Sequence, residues 1–371
     1  MPEAARVIDY KNRKVGWILR KGIFLLGALS LAIALSIGAF KAEAADKLKP
    51  ETTTIRWAKA NSGNVFVTLA RQLGYFDEVG LTVIENPVAS STEALTALGA
   101  GQVDVTSNQG TNNPLSQIAA GQDFTMVGGY MLQGMYLVAK KETGWNGPED
   151  LIGKKVAAPA STTTLTGPLL KLGHDPIEEV EWLTYATNSD RLAAVVAGEA
   201  DYAYLSGDML FTVGNMDNIE IVVYAADESL MPAYGCCRMN MRTDFVKNNP
   251  NTVTLLFEAL IRAQAYFESH KKEAVSILAK DINAPEEFVA AYLLNENYVP
   301  HVGQVKDEII KTWNIMMATG FLPDTAKDIN IEDHINTSLY KAALDNVIAE
   351  HHDEYPEIYD AMLAFYKEHN E

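Results

Sequence analysis

Between residues 54 and 129, short apolar runs alternate with longer segments whose apolar positions recur at helical spacing. The runs at 55–58, 81–84, 103–105 and 124–129 predict strands. The segments 65–76, 92–99 and 115–120 predict helices, the second closed by Gly99. The alternation restarts after Gly153, with strands at 154–158, 181–184, 202–205 and 219–224 and helices at 164–172, 191–197 and 209–213. Two such series predict two α/β lobes, each a mostly parallel sheet covered on both faces. The segments 135–140 and 235–241 flank the second series, read as extended, and are expected to be strands crossing between lobes. Beyond Arg242 the pattern is almost wholly helical, at 251–269, 272–280, 285–294, 305–318, 336–349 and 356–367. This tail is expected to return over the first lobe. The reading therefore assigns 45–134 and 242–371 to lobe one with the C-terminal helices, and 135–241 to lobe two with two hinge strands.

The N-terminal segment follows a different logic. Arg6, Lys11, Arg13, Lys14, Arg20 and Lys21 precede an apolar run at 22–40, and Ala42-Glu43-Ala44 fits a small-x-small cleavage site. Residues 1–44 are thus expected to be a signal peptide, with an uncleaved anchor as the alternative. No cysteine stands near the site and no twin arginine precedes it, so neither a lipid anchor nor export of a folded chain is expected. Residues 45–53 read as a short polar linker.

Composition narrows the function. Of 371 residues, 48% are hydrophobic and 21% charged, which argues against disorder. The formal net charge of -18 argues against nucleic acid as a partner. The two cysteines are adjacent, Cys236-Cys237. Neighbours can join only through a strained ring, so they read as small apolar residues on a strand and not as a fold-stapling bridge. The histidines avoid the first lobe's cleft loops, and no nucleophile elbow, P-loop or zinc-protease motif is present. No cofactor or metal is expected.

Four local patterns then acquire meaning together. They are Leu73-Gly74-Tyr75-Phe76-Asp77-Glu78-Val79-Gly80-Leu81-Thr82-Val83, then Ser91-Thr92-Glu93-Ala94-Leu95 leading into Ala97-Leu98-Gly99-Ala100-Gly101-Gln102-Val103-Asp104. Asp150-Leu151-Ile152-Gly153-Lys154-Lys155-Val156 and Ala197-Gly198-Glu199-Ala200-Asp201-Tyr202 complete the set, with Asn249-Pro250 later, before a long helix. In this order the chain resembles the substrate-binding proteins of ABC importers for sulfonates, taurine and nitrate, and the related thiamine-pyrimidine-synthase-like group. The resemblance implies the type II periplasmic binding-protein fold, two α/β lobes with a hinge. It implies a monomeric, exported, non-enzymatic protein that presents a small molecule to a permease and an ATPase. It also implies structural roles for Asp104 and Asp201. Tyr234-Gly235-Cys236-Cys237-Arg238 falls where pyrimidine-precursor synthases carry a longer cysteine-rich run. That relationship makes a metal-dependent enzyme one rival reading; the shared fold adds a periplasmic sensor, and the related pyrimidine-binding importers a thiamine- or riboflavin-precursor binder.

In open α/β sheets, ligands sit beyond the carboxyl ends of the strands. Here those loops are rich in Ser, Thr, Asn and Gly, beyond the single residue that capping a helix requires. The expected ligand-binding residues are Asn61, Asn64, Ser91, Thr92, Asn108 and Thr111 on one side, and Thr162, Thr163, Asn188, Tyr204 and Asp208 on the other. Arg238 is expected at the cleft mouth, its planar fork offered to an anion.

Overall fold

The computed structural model describes residues 48–231 and 234–371. The segment read as a signal peptide lies outside the described residues. No helix among the described residues is long and apolar enough to cross a membrane.

The first lobe opens with β1 (Thr54–Lys59) and β2 (Thr82–Pro87), paired in parallel. Between them runs the helix Val65–Gln72, which buries Phe66, Val67, Leu69 and Ala70. Its start is capped by Asn64, whose Oδ1 accepts from the backbone N–H groups of Phe66 (3.0 Å) and Val67 (3.3 Å). The single helix predicted over 65–76 is two, because Gly74 takes a left-handed φ of 77° before a separate turn, Tyr75–Glu78. The predicted strand at 103–105 makes only isolated bridges, Trp57 to Val105 and Thr106 to Asn240.

The remaining strands are β3 (Phe124–Gln133), β4 (Met135–Lys140), β5 (Lys155–Ala157), β6 (Glu181–Trp182), β7 (Tyr202–Ser206), β8 (Ile219–Tyr224), β9 (Cys237–Arg242) and β10 (Val299–Pro300). In the first lobe β3 lies between β9 and β10, antiparallel to both. The second sheet has the order β6-β5-β7-β4-β8, with β5 parallel to β6 and β7, and β4 antiparallel to β7 and β8. The first lobe therefore carries a parallel pair and a separate antiparallel sheet, and only the second lobe's sheet is mixed, so neither lobe has the expected mostly parallel sheet.

This pairing corrects the predicted crossing strands. β4 lies wholly inside the second sheet, and β9, read as part of lobe two, is laddered to β3 in the first. The chain crosses at Gly134 and returns through the connection before β9. Alternating apolar positions reveal an extended segment but not the neighbour it will pair with.

The helical tail does more than cover the first lobe. Pro250–Ser269 packs against Val65–Gln72 and Ser338–His351. Glu286–Leu293, however, packs against Leu210–Gly214 of the second lobe, with the rings of Phe211 and Phe288 6.3 Å apart. Lys306–Ala318 touches both Asn112–Ala119 and Thr163–Leu172, one from each lobe. The expected linker is also tied down at its end. The Glu51 carboxylate accepts from the N–H groups of Asn251 (3.0 Å) and Thr252 (2.8 Å), at the positive N-terminus of Pro250–Ser269.

Candidate functional site

The lobes meet along a seam of hydroxyl and amide side chains. Its centre is Asn112, at the start of the helix Asn112–Ala119. The Asn112 Nδ2 donates to the carbonyl oxygen of Ser161 and, at 3.4 Å, to Thr163 Oγ1. Its Oδ1 accepts from the Tyr234 hydroxyl at 2.8 Å. One first-lobe side chain thus holds a second-lobe loop and the returning connection at once. Beside it Thr111 Oγ1 donates to the carbonyls of Gly235 and Cys236, the latter at 3.1 Å. Thr164 Oγ1 donates to the Tyr204 oxygen at 2.7 Å. Burial pushes the Tyr204 and Tyr234 phenols up, so both stay neutral hydrogen-bonding groups.

A second polar group adjoins this one through Tyr204. Asn188 Nδ2 donates to Ser206 Oγ (2.6 Å) and to Asp208 Oδ1 (3.4 Å), and Ser206 also donates to Asp208. Arg191 Nη1 donates to the Tyr204 carbonyl at 3.2 Å. Burial raises the Asp208 pKa and lowers that of Arg191.

The twelve expected residues therefore separate. Thr111, Thr163 and Tyr204 stand at the seam, with Asn188 and Asp208 in the adjoining group. Thr162 closes a turn by donating to the Pro159 carbonyl at 2.7 Å. Asn64 and Asn108 tie loops of the first lobe: Asn64 Nδ2 donates to Ser107 Oγ (3.1 Å) and Asn108 Nδ2 to the Gly63 carbonyl (2.8 Å). Asn61 is exposed in a turn. Ser91 and Thr92 occupy the first turn of Ser91–Gly99, whose cap is Ser90, and none of their hydrogen bonds leads to the Asn112 group.

Arg238 requires the largest correction. It is fully buried, not at a cleft mouth. Nη1 donates to the Gly303 carbonyl (3.1 Å) and Nη2 to the Met131 carbonyl (2.8 Å), so the fork holds backbone. Burial pulls its pKa down to about 10. The reason is the placement of β9 in the first sheet, which turns this side chain into the core. Asp104 and Asp201 do what the resemblance implied. Asp104 accepts from the Arg56 backbone N–H and guanidinium, and Asp201 from the Lys155 N–H at 2.9 Å.

Asn112, Thr164, Arg191 and Ser206 were not singled out from the sequence. Asn112 was visible only as one of several polar residues between 106 and 113. Apolar spacing places the start of this helix at 115, so nothing in the sequence marks Asn112 as the residue at its mouth. Cys236 and Cys237 are free, buried thiols. No group of three or more His, Cys, Asp or Glu able to hold a metal occurs among the described residues.

Two α/β lobes, crossed twice by the chain and meeting at a polar seam, form the periplasmic binding-protein fold. Solved structures agree. The periplasmic aliphatic sulphonate binding protein from Escherichia coli superposes with a TM-score of 0.63 at 19% identity, covering 77% of this chain and 92% of that one. The periplasmic nitrate-binding protein from Synechocystis PCC 6803 gives 0.67 at 15% identity, over 83% and 92%. In sequence, the taurine-binding periplasmic protein of Escherichia coli (strain K12) is 26% identical over 321 residues, which are 81% of this chain and 94% of the relative. The family model described as NMT1/THI5 like matches residues 61–274, more than half of the chain, and this protein belongs to that family.

Proposed function

We propose that this protein is the exported solute-binding component of an ABC importer. It takes up a small polar or anionic solute of the sulfonate, taurine or nitrate kind between its lobes and presents it to a permease and its ATPase. It leaves the cytoplasm through a signal peptide cleaved after Ala44 and works as a monomer. The observation that carries the reading is Asn112, which reaches from one lobe to Ser161 and Thr163 of the other and to Tyr234 of the connection. Groups that satisfy one another across the seam can instead satisfy a solute placed between them. Hydroxyls, an amide and the positive end of Asn112–Ala119 suit an oxyanion without a desolvated cation beside it. The similarity to a taurine-binding protein supports the same class.

Tyr204 and Tyr234 favour a second reading, a flat aromatic solute such as a pyrimidine, because neutral phenols offer both a face and a hydroxyl. Thermal unfolding with taurine, an alkanesulfonate, nitrate and an aminopyrimidine separates the two. A bound solute at a hundredfold excess over its Kd stabilises by about 2.7 kcal/mol. A shift with the pyrimidine alone transfers the assignment to the second reading. No shift with any of the four sinks both.

A further inference from the structure

Cys236 and Cys237 take no part in the capture described above, yet they lie in the seam. Their sulfurs are 3.7 Å apart, and both residues are buried. The Cys236 carbonyl accepts from Thr111, next to Asn112, and its N–H donates to the Leu132 carbonyl at 3.1 Å. Cys237 pairs with Met131 in the β3–β9 ladder. Tyr234, which holds Asn112, stands two residues before Cys236.

We propose that Cys236 and Cys237 are an oxidisable dithiol site that closes reversibly to a vicinal disulfide on meeting a small disulfide oxidant, and that closure loosens the seam. Adjacent Cα atoms are about 3.8 Å apart, well under the separation of ordinary bridges, so the ring is strained and easily reduced. That makes it a switch and not a staple. Cys237 is the attacking thiol: Cys236 hydrogen-bonds to it, and the Gly110 N–H and the Arg238 charge favour its thiolate against the opposing effect of burial.

The Cys237 thiolate attacks one sulfur of the oxidant R–S–S–R. A Cys237–S–S–R bond forms, the oxidant's S–S bond breaks, and one R–S⁻ leaves and is protonated. Cys236 then gives up its proton and attacks the Cys237 sulfur, expelling the second R–S⁻. The cysteines lose two electrons, and the oxidant becomes two thiols. Closing the ring turns the 236–237 peptide, whose carbonyl now accepts from Thr111. The hold on Thr111 and its neighbour Asn112 weakens with it.

The reduced protein is incubated with oxidised glutathione, acid-quenched, denatured and treated with iodoacetamide. The expected mass is lower by two hydrogens, about 2 Da, with no alkyl group attached, and a dithiol reductant restores two alkylation sites. Cys236→Ser, which keeps the attacking thiol, should stop at one glutathione adduct, whereas Cys237→Ser should stay unmodified by glutathione. Two alkyl groups, stable glutathione adducts or a covalent dimer in the unsubstituted protein would overturn the proposal. The oxidised form should also melt below the reduced form, and equal melting would overturn the link to the seam. The effect on capture rests on the function proposed above: a melting shift given by taurine to the reduced protein should vanish on oxidation. Absence of that shift in the reduced protein counts against taurine as solute, whereas the mass measurement alone decides the disulfide.

Discussion

Asn112 and Arg238 show how differently two polar residues can serve one region. Asn112 bonds across the seam, where its partners are available for exchange with a solute. Replacing it by Ala removes two or three hydrogen bonds that a bound solute would share, each contributing about 0.5–1.5 kcal/mol. Asn112→Ala is expected to weaken solute binding about tenfold or more, measured by calorimetry, and to lower the apo melting temperature as well, because the seam contacts to Ser161, Thr163 and Tyr234 are lost. Arg238 is the reverse case. Its guanidinium joins the Met131 and Gly303 carbonyls inside the core. Arg238→Ala leaves those acceptors unpaired and opens a cavity, so the apo protein is expected to lose about 2–4 kcal/mol in urea unfolding. Unchanged apo stability with lost anion binding would return Arg238 to the solute.

Elements of the first lobe are locked by a four-charge network. Lys59 at the end of β1 reaches Asp281 (2.7 Å) and Glu85 of β2 (3.1 Å). Arg71 of Val65–Gln72 pairs with the same two carboxylates, and Thr68 donates to Asp281 at 3.0 Å. Burial alone would raise the Asp281 pKa, but the Lys59 and Thr68 hydrogen bonds and the Arg71 charge outweigh it and hold it low. Burial would likewise lower Lys59, yet its two carboxylate partners raise it. A depressed carboxyl stabilises above its unfolded pKa of about 4 and loses that contribution as pH falls through its folded pKa. A raised lysine stabilises below about 10.4 and loses its contribution as pH climbs through its folded value. Asp281→Asn should cost about 1–3 kcal/mol at neutral pH and flatten the acid limb of a stability–pH curve. An unchanged acid limb would mean that the network contributes nothing to acid stability.

At the scale of the molecule, capture requires the seam to open and close about the two crossings, Gly134 and the segment before β9. Glu286–Leu293 and Lys306–Ala318, which contact both lobes, must slide or re-pack during that motion. Small-angle scattering should show a fall in the radius of gyration when a solute that stabilises the protein is added. An identical profile with and without it would contradict closure.

Much of the fold was legible because helical and strand periodicities are local. The βα alternation, the all-helical tail and most element positions follow from apolar spacing, and the two structural aspartates from short motifs at turns. The site was legible only as a class of loop: Ser, Thr and Asn fill every junction, since the same residues cap helices. What tertiary structure alone decided was which strands are neighbours. Pairing of β9 with β3 buried Arg238 and brought Tyr234 to Asn112, residues 122 apart in the chain. Side-chain alternation sets which face a residue occupies, but a long-range partner is chosen by packing across the whole chain.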